Sequence, residues 1–155
     1  LLAHVDAWQW RPDLIWFDNL RVMRTPNYYV QKIYGHNPGT NVLPLTWNKQ
    51  PLTGQEGLYA SSVIDTDKNE IIVKLSNTSE EIKNVKINLE GLGRRMRIQP
   101  GVELTVMKGD KDLENTLDNP KIILPQESST IMTGTTLEVQ AAPNSFNMFV
   151  IKYTN

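Results

Sequence analysis

The chain has 155 residues, with 16 lysine and arginine residues against 17 aspartates and glutamates and a net charge of −1. At about 100–150 residues per domain, it has no room for a barrel enzyme together with an accessory domain. The near-neutral charge argues against nucleic-acid or membrane-surface partners, which need clustered positive charge. The absence of cysteine excludes disulfides, cysteine-ligated zinc and thiol catalysis.

Neither a metal, a cofactor nor a membrane is expected. The sequence has only two histidines, which leaves few ligands for a histidine-based metal site. No apolar run approaches the ~20 residues of a membrane span, and the first residues do not resemble a signal peptide. The chain begins Leu1-Leu2 rather than with Met, which indicates a piece cut from a longer protein. The compartment stays open between cytoplasm and a bacterial periplasmic or secreted location.

The first 34 residues hold seven of the 12 aromatic residues, and no glutamate occurs before Glu56. Three short elements are predicted in this part. An apolar run over 1–5 predicts a buried strand, and 13–20 predicts a brief strand or a helical turn. Thr25 followed by Pro26 predicts a helix start, with the apolar residues up to Tyr34 at helical spacing and Gly35 at its end. A domain boundary is predicted near 36–39, because an aromatic-rich stretch without glutamate is followed by short alternating segments broken by turn residues.

The remaining sequence predicts strands throughout. Candidate strands are 59–64, 70–75, 85–89, 96–98, 102–107, 122–124, 136–140 and 146–153. Turn residues recur roughly every ten positions, at Gly91, Pro100-Gly101, Gly109-Asp110, Asn119-Pro120, Gly134 and Pro143-Asn144. No helices separate the strands, as parallel crossovers would require. This spacing predicts a mostly β fold, an antiparallel sandwich or barrel.

The acidic residues lie mostly at turns, where carboxylates usually act as solvated caps. A retaining glycosidase instead needs two carboxyl groups about 5–5.5 Å apart across a cleft. Asp65-Thr66-Asp67-Lys68-Asn69 is similar to the start of a calcium loop, but glycine is replaced by Glu70 at the sixth position, and a hairpin turn is favoured. Asn77-Thr78-Ser79 matches a glycosylation sequon, a triplet that is common by chance.

Trp8-Gln9-Trp10 is the strongest physical indication of a binding site. Flat indole faces stack against sugar C–H surfaces, and a glutamine amide can bond hydroxyls. The two tryptophans cap the core between a sheet and a helix in the alternative interpretation, and the sequence does not separate the two. His4 lies at an apolar strand end, where a hydrogen-bonded structural role competes with a functional one.

Longer motifs indicate a family. The first motif is Ala3-His4-Val5-Asp6-Ala7-Trp8-Gln9-Trp10-Arg11-Pro12-Asp13-Leu14-Ile15-Trp16-Phe17-Asp18-Asn19, followed by Thr25-Pro26-Asn27-Tyr28-Tyr29-Val30-Gln31. Later motifs are Glu114-Asn115-Thr116-Leu117-Asp118-Asn119-Pro120-Lys121, running to Pro125, and Ala142-Pro143-Asn144-Ser145-Phe146. Across nearly its whole length the chain resembles the C-terminal region of a glycoside hydrolase family fifty-one α-L-arabinofuranosidase.

The resemblance implies a fold and a division of the chain. In that family a (β/α)₈ catalytic barrel is followed by a β-sandwich of jelly-roll type. Residues 1–40 would then be the end of the barrel, with its last strand over 1–5, a loop over 8–19 and the last helix over 25–34. Residues 41–155 would be the C-terminal sandwich. That sandwich also takes a strand from the enzyme's N-terminus, so the resemblance implies an open sheet edge here that invites dimerisation or strand exchange.

The resemblance also implies a site without catalytic groups. Barrel active sites lie at the C-terminal ends of the strands. The residues that would border the sugar in the whole enzyme are His4, Asp6, Trp8, Gln9 and Trp10. The family's acid/base glutamate follows an asparagine in one barrel strand and its nucleophile lies in another, and neither motif occurs in this chain. We therefore expect no catalytic residue and no hydrolysis by this chain alone.

The expected function is that of the non-catalytic C-terminal domain of an α-L-arabinofuranosidase. Its partners would be the catalytic barrel and, through the whole enzyme, arabinan or arabinoxylan, whose terminal α-L-arabinofuranosyl units are released with retention. The alternative is an independent carbohydrate-binding module. The aromatics available for it on the sandwich are Trp47, Tyr59, Phe146, Phe149 and Tyr153. Four of these five lie in or beside apolar strand runs and are expected in the core.

Overall fold

The computed structural model of the chain describes residues 3–5, for their backbone only, and residues 13–155. The N-terminal part forms three short strands and one helix. These are β1 (Ala3–Val5), β2 (Ile15–Phe17), β3 (Val22–Arg24) and α1 (Pro26–His36). Strand β1 runs parallel to β2, and β2 runs antiparallel to β3. The strand predicted over 1–5 is confirmed for 3–5, and part of the segment expected as loop forms strand β2.

Helix α1 begins where the sequence predicts. The Thr25 hydroxyl accepts a hydrogen bond from the backbone N–H of Tyr28 at 3.3 Å, and Pro26 occupies the first turn, where a missing N–H costs little. The helix continues through Gly35 and ends at His36. Asn37, and not Gly35 as predicted, caps the end of the helix, because its side-chain amide donates to the Ile33 carbonyl at 2.8 Å.

The rest of the chain is almost entirely strand. The strands are β4 (Asn41–Leu43), β5 (Thr46–Trp47), β6 (Gln50–Pro51), β7 (Leu58–Asp65), β8 (Glu70–Asn77), β9 (Lys83–Asn88), β10 (Arg97–Lys108), β11 (Gln126–Ile131), β12 (Thr136–Ala141) and β13 (Ser145–Thr154). A short 3-10 helix spans Gln55–Gly57. Among residues 3–5 and 13–155, no helix is long and apolar enough to cross a membrane.

Two antiparallel layers build a sandwich. Six strands form the large sheet in the order β11-β10-β13-β8-β7-β4, and β12 pairs with β9 as a two-stranded layer. Apolar side chains from both layers form the main core. It contains Leu58, Ile71, Val73, Leu75, Val102, Met132, Leu137, Ala141, Phe149, Ile151 and Tyr153. The mostly β, antiparallel sandwich predicted from the sequence is confirmed.

The opposite face of the large sheet is covered by helix α1. A second apolar cluster contains Ile33, Ile72, Met107, Ile123, Phe146, Met148 and Val150, with Tyr29, Val30 and Val63 packed against it. Because β8 and β13 are covered on both faces, nearly all their residues are buried. This explains why each contains an uninterrupted apolar run, 71–73 in β8 and 148–151 in β13, instead of strict alternation.

Several predicted boundaries are wrong. Strand β10 is continuous through Pro100 and Gly101, which were expected to form a turn; the irregularity there is a register shift between Ile98 and Val102. Residues 122–124 are irregular instead of a strand, with a bend at 122–123. Strand β11 was not predicted, because its exposed sequence (Gln-Glu-Ser-Ser-Thr-Ile) lacks apolar alternation.

Candidate functional site

The structure places one of the five predicted sugar-site residues. His4 lies in β1, where its backbone is in register with Trp16 of β2, and its side chain lies outside the described part. The other four, Asp6, Trp8, Gln9 and Trp10, also lie outside the described residues. Their role, and the choice between a sugar-stacking and a core-capping Trp8-Gln9-Trp10, therefore stay predictions. What the structure does describe is the chain directly after residues 6–12.

Thr25 ties that segment to the start of the helix. Its backbone N–H donates to the Leu14 carbonyl at 3.0 Å, and its hydroxyl donates to the Asp13 carbonyl at 2.7 Å. The same hydroxyl caps α1. Asp13 is buried, so these bonds are sheltered from water, and their loss would leave polar groups unpaired. Residues 13–14, which directly follow 6–12, are therefore fixed to the helix.

Asn115 ties the sandwich to the same region, and sequence reasoning assigned it no role. Its side chain is 2% exposed. The amide nitrogen donates to the carbonyls of Arg24 (2.9 Å) and Ile123 (3.0 Å), and the amide oxygen accepts from the Ile123 N–H at 2.8 Å. The motif that carried the family resemblance, 114–121, is thus the part of the sandwich that contacts β3. Only that resemblance could have drawn attention to Asn115.

A second contact is exposed. The Asp18 carboxylate accepts from the backbone N–H groups of Leu20 (2.9 Å) and Arg21 (2.7 Å), and it pairs with the Arg21 guanidinium at 2.7 Å. The hydrogen bond from the Leu20 N–H lowers the pKa of Asp18 most, and the bond from the Arg21 side chain lowers it next. Arg21 also pairs with Asp118 on the sandwich. Exposed pairs of this kind contribute little, roughly 0–1 kcal/mol.

Most of the sandwich aromatics are buried, as the core interpretation requires. Phe146, Phe149 and Tyr153 belong to the core, and Trp47 is half-buried in the β5–β6 hairpin. Tyr59 is 52% exposed, so it is not the core residue that its apolar strand suggested. Its register partner on β8 is Ser76, which places the ring on the helix-covered side of the sheet.

The Asp65–Asn69 segment forms the predicted hairpin turn between β7 and β8. The Asp65 carboxylate accepts from the backbone N–H groups of Asp67 (3.1 Å) and Lys68 (3.0 Å), and Asn69 adopts the left-handed conformation with φ of 58°. The Asp65 carboxylate therefore stabilises the turn by accepting bonds from its backbone N–H groups. In the described part of the chain, no group of three or more histidine, aspartate or glutamate side chains could hold a metal ion.

These bonds predict an acid-dependent stability. The bond from the Lys68 N–H is the largest of the effects that lower the pKa of Asp65. Stability from this carboxylate should be fully present above the unfolded pKa of about 3.9 and be lost as the pH falls through the lower folded value. Denaturant unfolding from pH 2 to 7 should show a shallower acid loss for Asp65→Asn, whereas Asp67→Asn should follow the wild type. Identical acid profiles for wild type and Asp65→Asn would contradict this role.

Asn77, the sequon asparagine, has a structural role. It is 1% exposed, and the two N–H groups of its amide are shared among the carbonyls of Glu81 (2.8 Å), Ala141 (3.0 Å) and Ala142 (2.9 Å). The nitrogen that glycosylation would modify is therefore occupied and inaccessible in the folded chain.

Comparison with known proteins identifies the family. A family model described as the α-L-arabinofuranosidase C-terminal domain matches residues 1–145. α-L-Arabinofuranosidase 1 of Arabidopsis thaliana is 26% identical over 96% of this chain and 22% of its own length. α-L-Arabinofuranosidase 2 of the same plant is 29% identical over the same shares of the two chains.

A solved structure agrees on the fold. An arabinose-bound α-L-arabinofuranosidase of glycoside hydrolase family fifty-one superimposes with a TM-score of 0.81 at 23% identity, over 94% of this chain and 22% of that chain. The chain thus spans about a fifth of the length of these larger proteins and corresponds to their C-terminal part. On the strength of the model match over nearly its whole length, the chain belongs to the α-L-arabinofuranosidase C-terminal domain family.

Proposed function

We propose that the chain works as the non-catalytic end of an α-L-arabinofuranosidase, in which residues 1–40 complete the catalytic barrel and residues 41–155 form the supporting sandwich. The family match over residues 1–145 carries this proposal. The whole enzyme would release terminal α-L-arabinofuranosyl units from arabinan or arabinoxylan with retention. Its catalytic glutamates would come from the barrel, which is the principal partner of this sandwich.

The packing of helix α1 supports a bracing role for the sandwich. Ile33 is buried against the large sheet together with Ile72 and Phe146, and the Tyr34 and Phe146 rings lie 5.8 Å apart. A helix that belongs to the barrel and packs on the sandwich would hold the two domains in one orientation. The sandwich would then fix the side of the barrel at which the substrate enters.

The proposed sugar contacts are His4, Asp6, Trp8, Gln9 and Trp10. Strand β1 runs parallel to β2, which is compatible with β1 being the last strand of a parallel barrel. The active sites of such barrels lie beyond the C-terminal ends of the strands. In that position the indoles would stack on the sugar ring, while the glutamine amide and the aspartate would bond its hydroxyls.

The test compares the full-length enzyme that contains this chain with the 155-residue chain alone on an aryl α-L-arabinofuranoside. The full-length enzyme should hydrolyse it with retention, seen by NMR of the first product, and the chain alone should not exceed a blank. Trp8→Ala in the full-length enzyme should lower kcat/KM about tenfold, equal to roughly 1.4 kcal/mol of lost transition-state stabilisation. Trp47→Ala, in the β5–β6 hairpin of the sandwich, should leave kcat/KM unchanged. Hydrolysis by the chain alone, or an inert full-length enzyme, would refute the proposal.

A carbohydrate-binding module is the second candidate, and the exposure of Tyr59 favours it. The backbone of Gly54 lies against this ring, because a Cβ at Gly54 would come within 2.6 Å of the Tyr59 Cζ. The ring is thus held in place with much of its surface free, as a sugar platform requires. Titration of arabino-oligosaccharides against tryptophan fluorescence separates the candidates. Saturable binding by the chain alone, lost in Tyr59→Ala or Trp47→Ala, would support the module, and no binding would support the bracing domain.

An oligomer is also proposed for the isolated chain. In the described residues, the outer edges of β9 and β12 have no strand partner, and unpaired edges are templates for further pairing. Dimerisation or strand exchange through this ribbon would satisfy them.

A further inference from the structure

We propose that Arg94, Arg95 and Arg97 form an anion-binding surface on the sandwich, and that its ligand is a polysaccharide whose sugar units carry carboxylates. This arginine surface lies at the turn that leads into β10. The choice of a polysaccharide among polyanions rests on the proposed function. The charge of the surface and its rigidity do not depend on that function.

The three arginines carry positive charge that the described part of the chain does not neutralise. All three are exposed. Every ion pair among residues 13–155 uses Arg21 or a lysine as its cation. Segment 89–101 holds the three arginines with Glu90 as its one acidic residue, so it carries a net charge of +2 in a chain whose total is −1. Such a concentration of one sign attracts anions from solution.

The turn that presents these side chains is anchored to the sandwich. Leu92 and Met96, on either side of its tip, pack against the main apolar core. The Met96 N–H donates to the Gly93 carbonyl at 3.0 Å. The Arg97 guanidinium donates to the carbonyls of Arg94 (2.9 Å) and Met96 (3.2 Å), so Arg97 closes the turn and adds its charge to it. A turn held in this way loses little conformational freedom on binding, which favours affinity.

The surroundings of the turn are open and uncharged. A Cβ at Gly91 or Gly93 would meet no atom of the described residues within 4 Å apart from its chain neighbours. The β11–β12 hairpin lies beside the segment, since the Met132 N–H donates to the Pro100 carbonyl at 2.9 Å. Residues 128–137 of that hairpin contain no charged side chain. A long anionic chain can therefore reach the arginines without repulsion from this hairpin.

The chemistry of the surface favours a polymeric carboxylate. The planar fork of a guanidinium donates two parallel hydrogen bonds to one carboxylate. A single exposed pair contributes little, whereas several pairs along one polymer act together. Nucleic acids also repeat their charge, but proteins that bind single strands add aromatic side chains on which the bases stack. Segments 89–101 and 128–137 contain no aromatic residue, and the neighbouring Tyr153 is 4% exposed. A polymer of uronic acid units therefore suits the surface best.

Binding of the full-length enzyme that contains this chain to immobilised polygalacturonate tests the proposal. The double variant Arg94→Gln, Arg95→Gln should raise the Kd about tenfold at low salt, and added salt should weaken binding of the wild type because exposed charges are screened. The double variant Lys86→Gln, Lys111→Gln is the control, because it removes the same charge at lysines that pair with glutamates. It should bind like the wild type. Equal Kd values for the wild type and the arginine variant, or an equal loss in both variants, would overturn the proposal.

Two further ligands test the chemistry of the partner. Methyl-esterified polygalacturonate keeps the backbone without the carboxylates and should bind wild type and arginine variant equally weakly; binding as tight as that of the free acid would overturn the role of the carboxylate. Tighter binding of oligothymidylate with the same number of charges, lost in the arginine variant, would overturn the assignment to a polysaccharide.

Activity separates this proposal from the proposed function. Both double variants should hydrolyse an aryl α-L-arabinofuranoside as the wild type does, which also shows that they are folded. A wild type without activity would refute the proposed function, whereas binding to polygalacturonate is measured without turnover and still decides whether the arginine surface binds carboxylates.

Discussion

Asn77→Asp should destabilise the chain by about 3–5 kcal/mol, the cost of a buried carboxylate in which one oxygen keeps the bonds from Ser79 and the other faces carbonyls instead of donors. The substitution keeps the shape of the side chain but replaces an amide that donates to three carbonyls, those of Glu81, Ala141 and Ala142. A carboxylate there would face three oxygens in a site that is 1% exposed. Urea unfolding of the wild type and of Asn77→Asp should show a lower midpoint for the variant, while the dependence of the unfolding free energy on urea concentration stays the same.

The same substitution at an exposed asparagine is the control. Asn88 lies on the outer face of β9, where its side-chain oxygen accepts from the Thr136 hydroxyl at 2.9 Å. An aspartate can accept that bond equally well, so Asn88→Asp should change stability by no more than about 0.5 kcal/mol. If the two variants lost the same stability, the three carbonyl bonds of Asn77 would not be holding the layers together.

Asn77 illustrates why a short motif predicts little by itself. The triplet 77–79 matches a glycosylation sequon, yet its asparagine ends β8 inside the sandwich and bonds to the end of β12. Residues 64 positions apart in sequence meet there. No local pattern encodes such a contact, because the three residues alone do not reveal whether the strand end is buried.

Local signals predicted much of the fold correctly. The β7–β8 hairpin follows from two apolar runs and a polar turn, and β9 follows from the alternation of Val85 and Ile87 with Lys86. Local sequence signals failed where contacts between residues far apart in the sequence determine the backbone conformation. Residues 122–124 are apolar enough for a strand, but Asn115 binds both backbone groups of Ile123 and holds them in a bend.

The proposed sugar contacts and the contact made by Asn115 differ in how far the sequence could point to them. Trp8, Gln9 and Trp10 have side chains suited to sugars, whereas Asn115 matters through its bond to Arg24, 91 positions away. Periodicity and composition do not carry information about such a pair. The family resemblance pointed to 114–121 as a motif without stating what it contacts, and the structure supplies the contact.

Lys74→Ala should cost about 2–4 kcal/mol, because it removes a packed side chain and a charged hydrogen bond at once. Lys74 lies on the helix side of β8, is 3% exposed, and donates from Nζ to the Asn37 carbonyl at 2.6 Å. Its Nζ also lies 4.6 Å from the centre of the Tyr34 ring. A cation at the end of α1 suits the helix dipole, so Lys74 helps to hold the helix on the sheet. Lys74→Met, which keeps most of the volume, should cost less, about 1 kcal/mol, in chemical denaturation.

The difference between wild type and Lys74→Met should also depend on pH. Burial lowers the pKa of Lys74, while an unfolded lysine keeps its proton up to about pH 10.4. Between the lowered value and 10.4, the unfolded chain binds more protons, so the wild type should gain stability over Lys74→Met as the pH rises. Lys152 supplies a control of opposite sign, because its bond to Glu103 raises its pKa. The advantage of the wild type over Lys152→Met should therefore shrink in the alkaline range, and parallel curves for wild type and Lys74→Met would show that Lys74 carries no desolvation cost.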